Sequence, residues 1–168
     1  MKHIVITLVG ADRTGIVENV SSLIFKFNGN WLASNLSKMA GQFAGIIEIM
    51  IPDENLEGFE TELTKLKGLR CIVNEEANIK NDAEDRRVSI SIVGNDKPGI
   101  IQEVTSAINH AGANVVKLQS VCESAPNWGG ELFKADILIS LPAELDIDDV
   151  TDNLEAIAND LVVEINLK

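Results

Sequence analysis

Cysteine, histidine and basic residues are all scarce in this chain, and each shortage closes off a class of function. The two cysteines, Cys71 and Cys122, lie far apart and in no CxxC spacing, which argues against a disulfide framework or a cysteine metal site. Both are expected to be small apolar core residues. His3 and His110 are the only imidazoles, and neither stands in an HExxH pattern, so no zinc site is expected. A nucleophile pair of Cys122 with His110 has no local signature to support it. Bases number 14 against 26 acids, a net charge of −12. A protein that grips duplex DNA must set several cations beside phosphates, so direct nucleic-acid binding is not expected.

Long apolar runs are missing too. Nothing approaches the roughly 20 unbroken apolar residues that cross a bilayer. The N-terminal MKHIVITLVGAD runs straight into a strand pattern without a signal-peptide cleavage site. These features predict a cytoplasmic protein with no membrane partner. There is no P-loop, no dinucleotide fingerprint and no nucleophile at a recognisable spacing from a base, so the chain is not expected to be an enzyme and implies no cofactor.

What the chain does contain is apolar material in abundance, 45% of 168 residues, enough to build the core of one ordinary domain or two small ones. Its charge is uneven. Residues 1–80 hold 10 acids and 8 bases, whereas residues 81–168 hold 16 acids and 6 bases, which predicts a solvated acidic face in the second half.

The chain also repeats itself. Aligning Gly10 with Gly94 sets VITLVGADRTGIVENVSSLIFKFNGNW over SISIVGNDKPGIIQEVTSAINHAGANV, and brings Asp12 onto Asp96, Gly15 onto Gly99, Val20 onto Val104 and Asn30 onto Asn114. Each copy opens with a β-branched alternating run, residues 3–9 and 88–93. A helical stripe follows: Ile16, Val20, Leu23, Ile24 and Phe27, then Ile100, Val104, Ala107, Ile108 and Ala111. Gly29 and Gly112 are expected to close these helices. Strands are predicted at 31–40 and 43–51, and at 114–123 and 131–141, stopped by Pro52 and Pro142. Acidic starts open second helices at 54–66 and 147–159, and final strands run over 69–78 and 161–167. The order βαββαβ, written twice, is an α+β architecture of two tandem ferredoxin-like units, each an antiparallel sheet with its helices on one face. The expected domains are 1–79 and 88–168, joined by the polar linker KNDAEDRR at 80–87. The copies differ most at ESAPNWGG, residues 123–130, readable as a lid with Trp128 as its wall or as a plain hairpin loop.

GADRTGI and GNDKPGI each join a strand to a helix. Such a corner presents unpaired backbone N–H groups and the positive end of a helix dipole, and so can hold a carboxylate. Asp12 or Asp96 can accept from an ammonium, and Gly15 and Gly99 let a small ligand approach the backbone. A free amino acid brings one group of each sign. The same residues also serve structure alone: Asp is a favoured N-cap, Pro98 fits a helix's first turn, and Gly permits close packing.

A strand ending in GxD, then two residues and Gly-Ile opening a helix that closes in GAN or NGN, resembles the ACT domain, and the resemblance spans nearly all of residues 2–168. It implies an amino-acid-sensing regulatory module whose ligand sits where two units meet. Asp12, Arg13, Thr14 and Gly15, or Asp96, Lys97, Pro98 and Gly99, would supply one side. Asn30 or Asn114, at the start of the neighbour's second strand, would supply the other. Thr14 stands where the motif usually has Pro, which predicts a looser first loop. Two ACT units with nothing attached are similar to transcriptional regulators that act through a protein partner. The resemblance therefore implies a glycine- or serine-like effector, a DNA-binding transcription factor as partner, and a homo-oligomer. A ligand-free interaction module and a regulator of a metabolic enzyme are the other roles open to such a chain.

Overall fold

Alternation of apolar and outward residues makes the opening segment a half-buried strand. In β1 (Lys2–Ala11), Ile4, Ile6 and Leu8 are buried while Thr7 and Val9 stay exposed. The computed structural model describes residues 1–75, 86–124, 130–157 and 161–167. They fall into two compact units, Met1–Asn78 and Ile79–Lys168. In the first, β1 is followed by α1 (Ile16–Lys26), β2 (Asn30–Met39), β3 (Gln42–Ile51), α2 (Leu56–Leu63) and β4 (Leu69–Glu75). The second repeats the order with β5 (Arg86–Asn95), α3 (Ile100–His110), β6 (Asn114–Ser124), β7 (Glu131–Leu141), α4 (Ile147–Ile157) and β8 (Leu161–Leu167). Each unit is thus βαββαβ, with an antiparallel sheet in the order β2-β3-β1-β4 or β6-β7-β5-β8. This is the ferredoxin-like fold expected from the sequence.

The first strand of each unit lies inside its sheet, so the loop that leaves it emerges mid-sheet rather than at an edge. The helices cover the face on which the strand isoleucines point. α1 buries Ile16, Val20, Leu23 and Ile24, and α3 buries the matching Ile100, Val104, Ala107 and Ile108. Between α1 and α2, Phe27 meets Phe59 edge-on with ring centroids 6.0 Å apart. A fully buried aromatic ring stabilises by about 1.5 to 3 kcal/mol relative to leaving it exposed. In the second unit, Ala111 and Val150 occupy those places and are buried as well.

Several boundaries differ from expectation. The left-handed residue closing α1 is Asn28 (φ 56), not Gly29, and it corresponds to Gly112 (φ 80) after α3. In both units the next residue's N–H bonds back to the helix, Gly29 to Ile24 at 2.9 Å and Ala113 to Ile108 at 3.2 Å. Gly29 is instead needed for space, since a Cβ there would lie 2.9 Å from the Ile24 side chain. The second helix of the first unit is shorter than 54–66, because Asp53–Asn55 form a 3-10 turn ahead of it. β5 begins at Arg86 rather than 88, with Arg86 and Arg87 paired to Leu141 and Ser140. Residues 80–85 of the expected linker lie outside the described residues, as do 125–129 with Trp128. The cysteines also depart from expectation, Cys71 being half-buried and Cys122 exposed. Cys122 lies near the end of β6, where the strand runs on to Ser124 in the open.

Candidate functional site

The strand-to-helix corners are built alike. Gly10 lies opposite Phe43 and Gly94 opposite Phe133. Beyond them the Asp12 N–H donates to the Gly41 carbonyl and the Asp96 N–H to the Glu131 carbonyl, each at 2.9 Å, which ties the loop to the neighbouring hairpin. The chain then turns through Gly15 (φ 87) or Gly99 (φ 90), the N-cap of its helix. That left-handed conformation disfavours any residue with a Cβ by roughly 1 to 2 kcal/mol. Neither helix has a side-chain capping bond, so Asp12 and Asp96 are not N-caps and their carboxylates are left for other partners. A Cβ added to Gly99 would meet nothing within 4 Å. The glycine therefore serves the turn and leaves open space beside the first helical turn, whose N–H groups lack intrahelical acceptors.

The partners of the two carboxylates differ. The Lys38 ammonium lies 2.5 Å from Asp12, while the Arg13 guanidinium donates to the Lys67 carbonyl. In the second unit Lys97 pairs with Glu103 at 2.8 Å, and the Cys122 thiol faces Asp96. Desolvation, then the negative charge of Asp96 and the thiol's hydrogen bond to it, then the charge of Glu131, hold that thiol's pKa above its ordinary value. Burial alone does the same to Cys71.

A sequence-family model for the ACT domain matches residues 2–69. The first unit is an ACT domain. The second repeats the same fold, and ACT domains are regulatory modules that bind amino-acid effectors. Over the whole chain the fold is similar to that of an unknown protein from Galdieria sulphuraria, at 23% identity and a TM-score of 0.85, with 99% of this chain and 98% of that chain covered. It is also similar to a candidate glycine cleavage system transcriptional repressor, at 19% identity and a TM-score of 0.72, with 99% and 97% covered. No curated protein matches the chain in sequence.

Within each unit the loop residues Asp12, Arg13, Thr14 and Gly15, or Asp96, Lys97, Pro98 and Gly99, fall together at one corner. The exchange of Thr14 for Pro98 leaves the following glycine torsion almost unchanged. Asn30 and Asn114 do not join their own loops. Asn30 lies opposite Met50 and Asn114 opposite Ser140, at the other end of the sheet from Phe43 and Phe133. At about 3.3 Å per residue, seven residues of strand put them roughly 23 Å away. Lys38 was not singled out from the sequence, and Cys122 reads there as core material rather than as a neighbour of the loop. Extending the repeat alignment through the second strand does set one over the other, but only the hairpin register, Lys38 opposite Phe43 and Cys122 opposite Phe133, brings them beside the loops.

A cleft of about 580 Å³ adjoins the corner of the second unit, lined by Pro98, Gly99, Gln102, Glu103, Ser106, Ala107, His110, Asn153 and Ala156. Alanines at 107 and 156 leave room where larger side chains would close the two helices together. His110 ends α3, an 11-residue helix, while Cys122 lies beside the loop that begins it. At 1.5 Å per residue the helix separates them by roughly 15 Å, too far for a nucleophile and base. Among the described residues, no group of three or more His, Cys, Asp or Glu is placed to hold a metal ion, and no helix is long and apolar enough to cross a membrane.

Proposed function

We propose that this protein senses a free small amino acid, such as glycine or serine, and regulates transcription through a DNA-binding protein partner in the cytoplasm. The observation that carries the reading is the second corner: an exposed Asp96 that caps no helix, beside a left-handed Gly99 with open space above it. The ligand carboxylate faces the first-turn N–H groups of α3, and its ammonium faces Asp96. Lys97 and Pro98 shape the loop, and Asp12 to Gly15 form the related corner of the other domain. An amide from Asn30 or Asn114 serves only a loop other than its own unit's. Residues 1–79 and 88–168 act as the two sensor domains. The acidic balance of the chain supports action through a partner. The likeness in fold to a candidate glycine cleavage system transcriptional repressor favours a DNA-binding regulator of glycine cleavage genes as that partner.

A ligand of five to seven heavy atoms binds with at most about 7 to 10 kcal/mol, so micromolar to millimolar affinity is expected. Thermal-shift screening of the twenty amino acids tests the site directly. At a hundred times its dissociation constant the effector adds about 2.7 kcal/mol of stability. Asp96→Ala should then weaken binding by ten- to over a hundredfold, about 1.5 to 3 kcal/mol. Unchanged affinity in that variant removes Asp96 from the site. Tight operator binding by the purified chain alone contradicts the partner mechanism.

Self-association belongs on the open face of the first sheet. There Ile46 and Ile72, 50% and 55% exposed, flank Thr7 in one row. Charge in residues 1–80 is nearly balanced, 10 acids against 8 bases, so two copies meet there with little repulsion. Sedimentation of Ile46→Asp should show a smaller species than the wild type; an unchanged species excludes this face.

A further inference from the structure

The two corners differ at one position that decides whether a ligand's ammonium has a place to go. In the first unit Asp12 is 26% exposed and already holds the Lys38 ammonium at 2.5 Å. Strand register imposes this contact, because Lys38 lies opposite Phe43, which lies opposite Gly10, two residues before Asp12. The same register in the second unit, through Phe133 and Gly94, sets Cys122 at that place. A thiol brings no positive charge. Among the described residues no ion pair involves Asp96, and Lys97 is engaged with Glu103.

We infer that the second unit carries the stronger amino-acid site and that Lys38 is a tethered ammonium, standing in for the ligand's own, that weakens the first. This rests on the reading of the corner given above. A tethered group acts at an effective concentration on the order of millimolar or more. Lys38 itself is mostly exposed, so this competition should weaken binding at the first corner severalfold rather than abolish it. The Arg13 contact to Lys67 fixes that loop further.

Exchanging the two residues tests the inference. The full chain is screened against the twenty amino acids by thermal shift, and the strongest binder is titrated by calorimetry. The wild-type chain should bind one ligand at a stronger site, lost on Asp96→Asn, and a second severalfold more weakly. Lys38→Cys should bring the two affinities together by strengthening the weaker site, and Cys122→Lys should weaken the stronger one severalfold. In the doubly exchanged chain the stronger site should instead be lost on Asp12→Asn. Cys122 is exposed, so its lysine variant is expected to fold, and its melting curve checks this. Two wild-type sites of equal affinity, a Lys38→Cys chain whose weaker site is no tighter, or a folded Cys122→Lys chain with wild-type affinity overturns the inference and leaves the sensing role intact. Absence of binding by all twenty overturns both.

Discussion

Between α1 and α2 the first unit packs two aromatic rings, Phe27 and Phe59, whereas the second has Ala111 and Val150 in their places. On the open sheet faces the difference is one of polarity. The row Ile46, Thr7, Ile72 in the first unit becomes Asp136, Ser91, Glu164 in the second, with the Ser91 hydroxyl donating to Asp136 at 2.8 Å. Yet the backbone of the corners is the same, φ 87 at Gly15 and φ 90 at Gly99. The duplicated units keep what the turn demands and vary what the side chains offer to solvent and ligand. The fold tolerates either kind of helix packing, and the smaller side chains of the second unit accompany the cleft beside Gly99.

The largest test of this comparison is in the cores. Phe59→Ala should destabilise the first unit by about 3 to 5 kcal/mol and Val150→Ala the second by about 1.5 to 3, read from urea denaturation by circular dichroism. Equal losses mean that the rings are no better packed than the valine. Next come the glycines. Gly15→Ala and Gly99→Ala should each cost about 1 to 2 kcal/mol, and by similar amounts, because both force a Cβ into the left-handed region. A neutral Gly99→Ala contradicts the corner geometry. Lys38→Met removes a mostly exposed ion pair and should change stability by less than about 1 kcal/mol, so its effect belongs to binding rather than folding.

The smallest expected effect concerns Cys122. Its raised pKa favours the protonated thiol in the folded state, so alkylation should gain speed only at higher pH than for a free thiol. The same sign makes its contribution to stability complete below the ordinary value of 9.0 and lost as pH rises beyond it. Asp96→Asn removes one negative charge and should speed alkylation at pH 8 severalfold. No change in rate places the thiol away from Asp96.

Much of the fold was legible because local patterns and global packing agree. Ile4, Ile6 and Leu8 alternate as a strand must, and Ile16, Val20, Leu23 and Ile24 recur as a helix must, so both elements present their apolar side to one core. The repeat then doubled the information. The errors lay where one residue type answers two needs. Gly29 reads as a helix stop, yet Asn28 takes the left-handed turn, and Cys122 reads as core material, yet it stands exposed near a strand end. Of the candidate site, the Asp and Gly residues were legible because a short loop holds them together in sequence.

The amino-acid sequence alone determined the two βαββαβ units, the apolar faces that bury each other, and the glycines at the corners, because periodicity and turn chemistry are properties of neighbouring residues. Tertiary structure decided that Asp12 meets Lys38 while Asp96 meets Cys122, and that Asn30 and Asn114 stand at the far ends of their own sheets. Those facts depend on strand register, which joins residues distant along the chain and is set by how each hairpin pairs rather than by any local pattern.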